Sequence, residues 1–191
     1  MGTHGAILSA AEVRFSDYGY NKTTMAEIAD DCGMCVGNLY RYFKNKEAIA
    51  VASTERLLEA KLRAGISAAA GQEDALDALL EFLLTRLRIG HRHFSGTRHL
   101  FDMMGLVNTR HRKMLLDFEA RVIDALADII ERGARAGKFC VRDVRRTAYD
   151  IHQATIRYNN PVNLKHNKLS LLEADLERLV ALLYRGLALP C

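Results

Sequence analysis

Residues 21–48 read NKTTMAEIADDCGMCVGNLYRYFKNKEA, and the interpretation of the whole chain turns on this stretch. Thr24 followed three positions later by Glu27 is the pattern of a capping box, in which the two side chains each satisfy a backbone amide at a helix start. A short helix follows, with Met25, Ile28 and Ala29 facing inward. The segment Cys32-Gly33-Met34-Cys35 breaks it as a tight turn, because glycine accepts backbone conformations that other residues resist. A second short helix, about Val36 to Tyr42, carries Leu39 and Phe43 near its inner side. Helices this short are not stable alone and need a third packed across them. The preceding residues supply it: Ile7, Leu8, Ala11 and Phe15 share one face at helical spacing, and Gly19 offers a stop. Residues 7–43 therefore read as a helix-turn-helix unit.

The rest of the chain continues in the same manner. Ala, Leu, Glu and Arg are abundant, proline occurs only twice in 191 residues, and alternating β-branched runs are missing, so an all-α fold is expected. A long helix is expected from about Lys46 to Ile66 after the Lys44-Asn45 break, and another from about Glu73 to Ile89, with Leu76, Leu79, Leu80, Leu83 and Leu87 on one stripe. Gly90 and Gly96 flank a less regular region, and Leu100, Phe101, Met104 and Leu106 imply a short helix. Leu115, Phe118, Val122, Leu126, Ile129 and Ile130 mark a long amphipathic helix ending near Gly137, and a further helix covers about Val144 to Ile156. Tyr158 to Lys168, with Pro161 and four asparagines, reads as a loop. In the last helix Ser170 and Glu173 are expected to cap reciprocally. Its leucines Leu172, Leu176, Leu179, Leu183 and Leu187, joined by Val180, Leu182 and Tyr184, form a stripe wider than one partner helix requires. That width fits a two-fold contact with a second subunit, and ordinary core is the alternative.

Composition removes several classes of function. Apolar residues at 49% and charged residues at 26% describe globular rather than disordered chain. No apolar run approaches the ~18 residues of a membrane span, and the start, Met1 to Ile7, lacks the basic and hydrophobic regions of a secretory signal. No membrane partner is therefore expected, and the cytoplasm is the expected location. Four cysteines in a chain this long do not make a disulfide framework. The net charge of +4 invites a reading as a basic nucleic-acid binder, but its distribution resists that. Residues 1–60 hold six Lys/Arg and eight Asp/Glu, net −2, whereas residues 61–191 hold twenty-one and fifteen, net +6.

A helix-turn-helix lays its second helix in the DNA major groove, so Val36, Gly37, Asn38, Tyr40 and Arg41 are the candidates to meet base edges. Asn38 can bond adenine, Arg41 can address guanine or a phosphate, and Val36 can pack on a thymine methyl. Thr24, Tyr42, Lys44 and Lys46 are the candidate phosphate contacts at helix starts and flanks, with Tyr42 also placed to brace Phe43 and Lys44 also able to be plain solvated surface.

Thr24, Ile28, Ala29, Gly33, Gly37, Leu39, Tyr40, Tyr42, Phe43, Lys46 and Glu47, with Ala11, Phe15 and Gly19 upstream, give this segment the look of the DNA-binding part of the TetR family of bacterial transcriptional regulators. The remainder resembles that family in length and helix order. The resemblance implies a homodimer on double-stranded, palindromic operator DNA, usually a repressor, released when a small-molecule effector enters the C-terminal domain. It also implies phosphate contacts at Thr24, Tyr42 and Lys46 and base contacts from Val36 to Arg41. A ligand-independent or activating regulator is the alternative within the class, and an effector-binding enzyme the alternative outside it. Cys35 departs from the serine or threonine common in the family and Cys32 from alanine. A thiol donates hydrogen bonds poorly, which weakens Cys35 as a helix cap or phosphate contact.

On this reading residues 1–45 bind DNA, 46–71 form a connector helix, and 72–191 form a helical effector-binding and dimerisation domain. Phe82, Phe94, Phe101, Met104, Phe118, Val122, His152 and Tyr158 are the candidate lining of an effector pocket, since aromatic and methionine side chains suit an apolar cavity between helices. They can equally fill a core. Between Arg86 and Lys113 seven Arg/Lys face one acid, Asp102, among His91, His93, His99 and His111, a zone that suits an anionic effector, the DNA-facing side, or local ion pairs. No metal or cofactor is expected: Cys32 and Cys35 lack two further ligands nearby, and the histidines do not converge in helical phase. Nor is a catalytic site expected, because Tyr149, Asp150 and His152 diverge around a helix and no phosphate-binding glycine loop occurs.

Overall fold

The computed structural model describes residues 2–187, apart from the side chains of Leu100, Phe101, Asp102 and Met104. The described residues contain no strand. Their elements are α1 (Thr3–Tyr18), α2 (Met25–Asp31), α3 (Val36–Tyr42), α4 (Lys46–Ala70), α5 (Ala75–Phe94), α6 (Leu100–Arg110), α7 (Arg112–Arg135), α8 (Val144–Thr155), a 3-10 turn (Ile156–Asn159), α9 (Pro161–His166) and α10 (Leu169–Leu187). Two compact units result. One takes the residues up to Glu59 together with Gly96–Leu115, and the other takes Ala60–Ser95 with the residues from Leu116 onward.

In the first unit α1 packs on α2 and α2 on α3. Ile7, Leu8, Ala11 and Phe15 of α1 meet Ile28, Ala29, Leu39, Phe43, Ile49 and Ala50 in a single buried cluster. Burial of each large side chain stabilises by roughly 1.5–3 kcal/mol, which is what holds helices too short to persist alone. The capping box forms: the Glu27 amide donates to the Thr24 hydroxyl oxygen, and the Thr24 amide donates to the Glu27 carboxylate at 2.8 Å. The turn between α2 and α3 depends on Gly33, whose φ of +63° lies in the left-handed region. Cys35 precedes α3 without a side-chain cap bond, as a thiol in that position leads one to expect. Met103 and Leu106 of α6 also pack against this cluster, so a segment distant in sequence belongs to the same unit.

The second unit is organised around α5, which packs against α9, α10 and the 3-10 turn. Leu79, Leu83 and Leu87 are buried as the stripe requires, but so are Ala78, Phe82, Leu84 and Arg86, because neighbours cover more than one face. Four sequence readings need correction here. The presumed loop at 158–168 holds the end of a 3-10 turn and then α9, opened by the Asn160 side chain, which accepts from the Val162 and Asn163 amides, with Pro161 in the first turn. Ser170 lies inside α10 rather than at its cap, and Glu173 instead accepts a 2.6 Å bond from Arg88 of α5. In α10, Leu172, Leu176 and Val180 are buried in the protomer's own core, because that face packs on α5. Leu179, Leu183 and Leu187 are half-buried, and Leu171 and Leu182 stand out at 60% and 65% exposure. Finally, Cys140 is disulfide-bonded, while Cys32 and Cys35 carry free thiols.

Candidate nucleic-acid interface

The core side of α3 is Leu39, completely buried, followed by Phe43 just beyond the helix. Helical spacing then turns Gly37, Tyr40 and Arg41 outward, and all three are exposed, Tyr40 at 53%. A Cβ added at Gly37 would meet no atom, so the backbone is open to a close-fitting surface there. Asn38 is half-buried at the margin of this face, and Val36 is half-buried against the core cluster. Tyr42 and Lys44 are exposed just beyond. The unit therefore presents a guanidinium, an ammonium and two phenols from one short stretch.

The surroundings hold α2 and α3 at a set distance from α1. Arg14 of α1 donates to both carboxylate oxygens of Asp31, at 2.7 Å for the longer bond, and reaches Glu27 at 3.3 Å. The hydrogen bond from Arg14 holds the Asp31 carboxyl below its usual range, and Asp31 in turn raises the guanidinium further above its own. Glu27 is also held low, chiefly by its bonds to the Thr24 amide and hydroxyl. The Thr24 hydroxyl is engaged there, donating to the Glu27 carboxylate at 2.9 Å.

Lys46 is engaged within the protein. Its ammonium points inward and donates to the carbonyls of Tyr20 and Thr23 at 2.6 and 2.7 Å, over the Tyr20 ring at 4.3 Å. The loop after α1 leaves carbonyls that lack helical partners, and Lys46 supplies their donor. Burial pushes its pKa down. In this arrangement Lys46 holds the α1–α2 loop.

The neighbouring Glu47 accepts from His111 at 2.8 Å and from Arg110 at 3.1 Å, which ties the first turn of α4 to the end of α6. The His111 bond, followed by Arg110, holds Glu47 below its usual range against the opposing effect of burial. The basic segment 86–113 is thus divided between the units. Arg110 and His111 serve Glu47, Arg88 pairs with Glu173 and Glu81, and His91 bonds the Asn167 carbonyl at 3.1 Å. Arg86 alone of these is buried.

Sequence reasoning missed Arg14, the distant partners of Glu47, and Lys61, a buried lysine of the second unit. Each takes its meaning from residues far along the chain, and no local spacing announces that. Of the candidate effector lining, Phe82, Phe94, Val122, His152 and Tyr158 are buried in the second unit and Phe118 is half-buried. Phe101 and Met104 lie outside the described side chains.

Comparison with known proteins gives a consistent result. Residues 7–52 match the family of bacterial regulatory proteins called tetR, and residues 75–180, more than half of the chain, match a tetracyclin repressor-like C-terminal domain. The HTH-type transcriptional regulator RutR of Escherichia coli is 29% identical over 157 residues, spanning 80% of this chain and 72% of RutR. A probable HTH-type transcriptional regulator, ArpR, of Pseudomonas putida is 29% identical over 158 residues, spanning 76% and 73%. A crystal structure of a transcriptional regulator from Cytophaga hutchinsonii superposes with a TM-score of 0.75 at 22% identity, covering 96% of this chain and 97% of that one, a likeness of fold.

Proposed function

This chain belongs to the TetR family and is a DNA-binding transcriptional regulator, and from that premise we propose that it acts as a homodimeric repressor on a palindromic operator, released when a small molecule binds the second unit. The observation that carries the DNA reading is the outward face of α3, Gly37, Tyr40 and Arg41, on a fully packed helix-turn-helix core. Arg41 and Asn38 address base edges, with Val36 near a thymine methyl, while Tyr42, Lys44 and the Thr24 end of α2 hold phosphates. Lys46 acts one step back, by fixing the loop that sets α2.

A palindrome requires two copies with recognition helices spaced near one helical turn, about 34 Å. The exposed Leu171 and Leu182, with half-buried Leu179, Leu183 and Leu187 on the same helix, offer the apolar surface for a two-fold contact. Buried Leu172 and Leu176 support that helix from behind. An effector that fits only one arrangement of the second unit shifts the population toward it and lowers operator affinity. Residues 1–45 are the DNA-reading part of this scheme, 46–71 the connector and 72–191 the sensing and dimerising part, with α6 packed on the DNA-reading core.

The test begins with an operator selected by the wild-type protein from random-sequence duplexes. Arg41→Ala is expected to weaken binding roughly 5- to 150-fold, the equivalent of about 1–3 kcal/mol for one good base contact, with fold and dimer retained. Unchanged affinity at both low and moderate salt removes the α3 face as the DNA reader. In sedimentation, Leu182→Asp is expected to shift the protein toward monomer, and an unaltered dimer places the contact elsewhere.

A further inference from the structure

The second unit buries three basic side chains from three different helices: Lys61 of α4, Arg86 of α5 and His152 of α8, at 3%, 2% and 5% exposure. Arg86 Nε and His152 Nε2 have no hydrogen-bond partner. The guanidinium of Arg86 lies 5.2 Å from the centre of the Phe82 ring. The Lys61 ammonium lies against Gly90 of α5, where an added Cβ would stand 3.0 Å from its Nζ and 2.8 Å from a Leu164 methyl, so a larger residue there would displace these side-chain ends.

The charge that bears on Lys61 and on His152 is that of Arg86, and no carboxylate contributes. Burial first and Arg86 second push the Lys61 ammonium down to about 7 and the His152 imidazole down to about 4, and burial pushes Arg86 down to about 10. Unpaired buried cations are costly and proteins rarely keep them without a partner. Acids are within this fold's means: Arg88, two residues along the same helix as Arg86, is paired with Glu81 and Glu173. The arrangement leaves Arg86 and its two neighbours for something else.

We infer that Lys61, Arg86 and His152 form a recognition site for a small carboxylate with an apolar body, the carboxylate held by Arg86 and Lys61 and the body lying against Phe82 and Leu164. This deepens the reading of the second unit as the effector-binding part and rests on it. The guanidinium fork matches a carboxylate in two bonds, and one negative charge balances Arg86 while Lys61, pushed down to about 7, supplies a further donor and the imidazole stays neutral. The buried side chains of Phe82 and Leu164 suit a ligand with an apolar body better than a bare inorganic anion.

The experiment uses the full chain, thermal unfolding and binding to the selected operator. The probes are propionate, hexanoate, benzoate and phenylacetate, each against its neutral primary amide, with inorganic phosphate alongside. At least one acid is expected to raise the melting temperature and weaken operator binding at least tenfold, while its amide does neither. Arg86→Met and Lys61→Met remove charge but keep an apolar stem. Both are expected to bind operator as the wild type does and to lose the response to the acid. Equal responses to acid and amide, a response to phosphate alone, no response to any acid, or a response retained in both methionine variants each overturns the site. If the wild type selects no operator yet the acid-specific, Arg86-dependent rise in melting temperature is present, the repressor reading fails and the site stands.

Discussion

Lys46→Met separates a lysine that positions the DNA-reading helices from one that touches DNA. The substitution keeps the apolar stem and removes the ammonium, leaving the Tyr20 and Thr23 carbonyls without their 2.6 and 2.7 Å donor. Two hydrogen bonds from a charged donor are worth at most about 3–6 kcal/mol together. The contact over the Tyr20 ring adds about 0.5–1 kcal/mol. Lys46 is only half-buried, so water recovers much of this at the freed carbonyls, and a net loss of about 1–3 kcal/mol is expected. A domain of ordinary stability, about 5–15 kcal/mol, stays folded after such a loss. The assay is urea unfolding together with operator affinity across a salt series. A positioning lysine lowers the urea midpoint and leaves the slope of log affinity against log salt unchanged. A lysine bound to phosphate leaves the midpoint alone and reduces that slope by about 0.9. Unchanged stability with a reduced slope refutes the inward role.

Three further outcomes can be checked. Thr24→Ala removes the capping box and is expected to cost about 0.5–2 kcal/mol, measured as a lowered urea midpoint, with no change marking the cap as dispensable. Gly33→Ala places a side chain at φ +63° and is expected to cost roughly 1–2 kcal/mol although its Cβ meets no atom, so a neutral result contradicts the conformational argument. Lys61, held at about 7 instead of its ordinary 10.5, gives a pH dependence of fixed sign. Between these values the unfolded chain binds a proton that the folded chain does not, so stability rises with pH across the window. Melting temperatures from pH 7 to 9.5 are expected to rise more steeply for the wild type than for Lys61→Met, and equal slopes argue against a buried, destabilised ammonium.

Much of the DNA-reading unit was legible because its rules are local. Thr24 and Glu27 are three residues apart and cap as their spacing predicts, Val36–Tyr42 forms a helix over the expected range, and Ile7, Leu8, Ala11 and Phe15 fall on one buried face. Even one miss had a local signal: Asn160 before Pro161 is a helix start, outweighed in reading by the density of asparagines around it. Ser170 and Glu173 show the opposite failure, since correct spacing for a cap lost to a carboxylate better used by Arg88, far away in the chain.

The residues that sequence misjudged share a dependence on partners brought from a distance. Lys46 shares its segment's basic, exposed character until the carbonyls of Tyr20 and Thr23 turn it inward. Arg86, Arg88 and Arg110 look alike in a basic run, yet one is buried without an acid, one bridges α5 to α10, and one joins α6 to α4. Leu172 and Leu182 belong to one apolar helix, but α5 covers the first and leaves the second exposed. Sequence alone therefore determined where most of the helices run, α9 excepted, and that a helix-turn-helix reader is present, because periodicity, capping and turns act over three or four residues. Only the tertiary structure decided which cations are paired, which are buried bare and which leucines remain for a partner, because those outcomes depend on the desolvation and Coulomb energies that arise once distant helices meet.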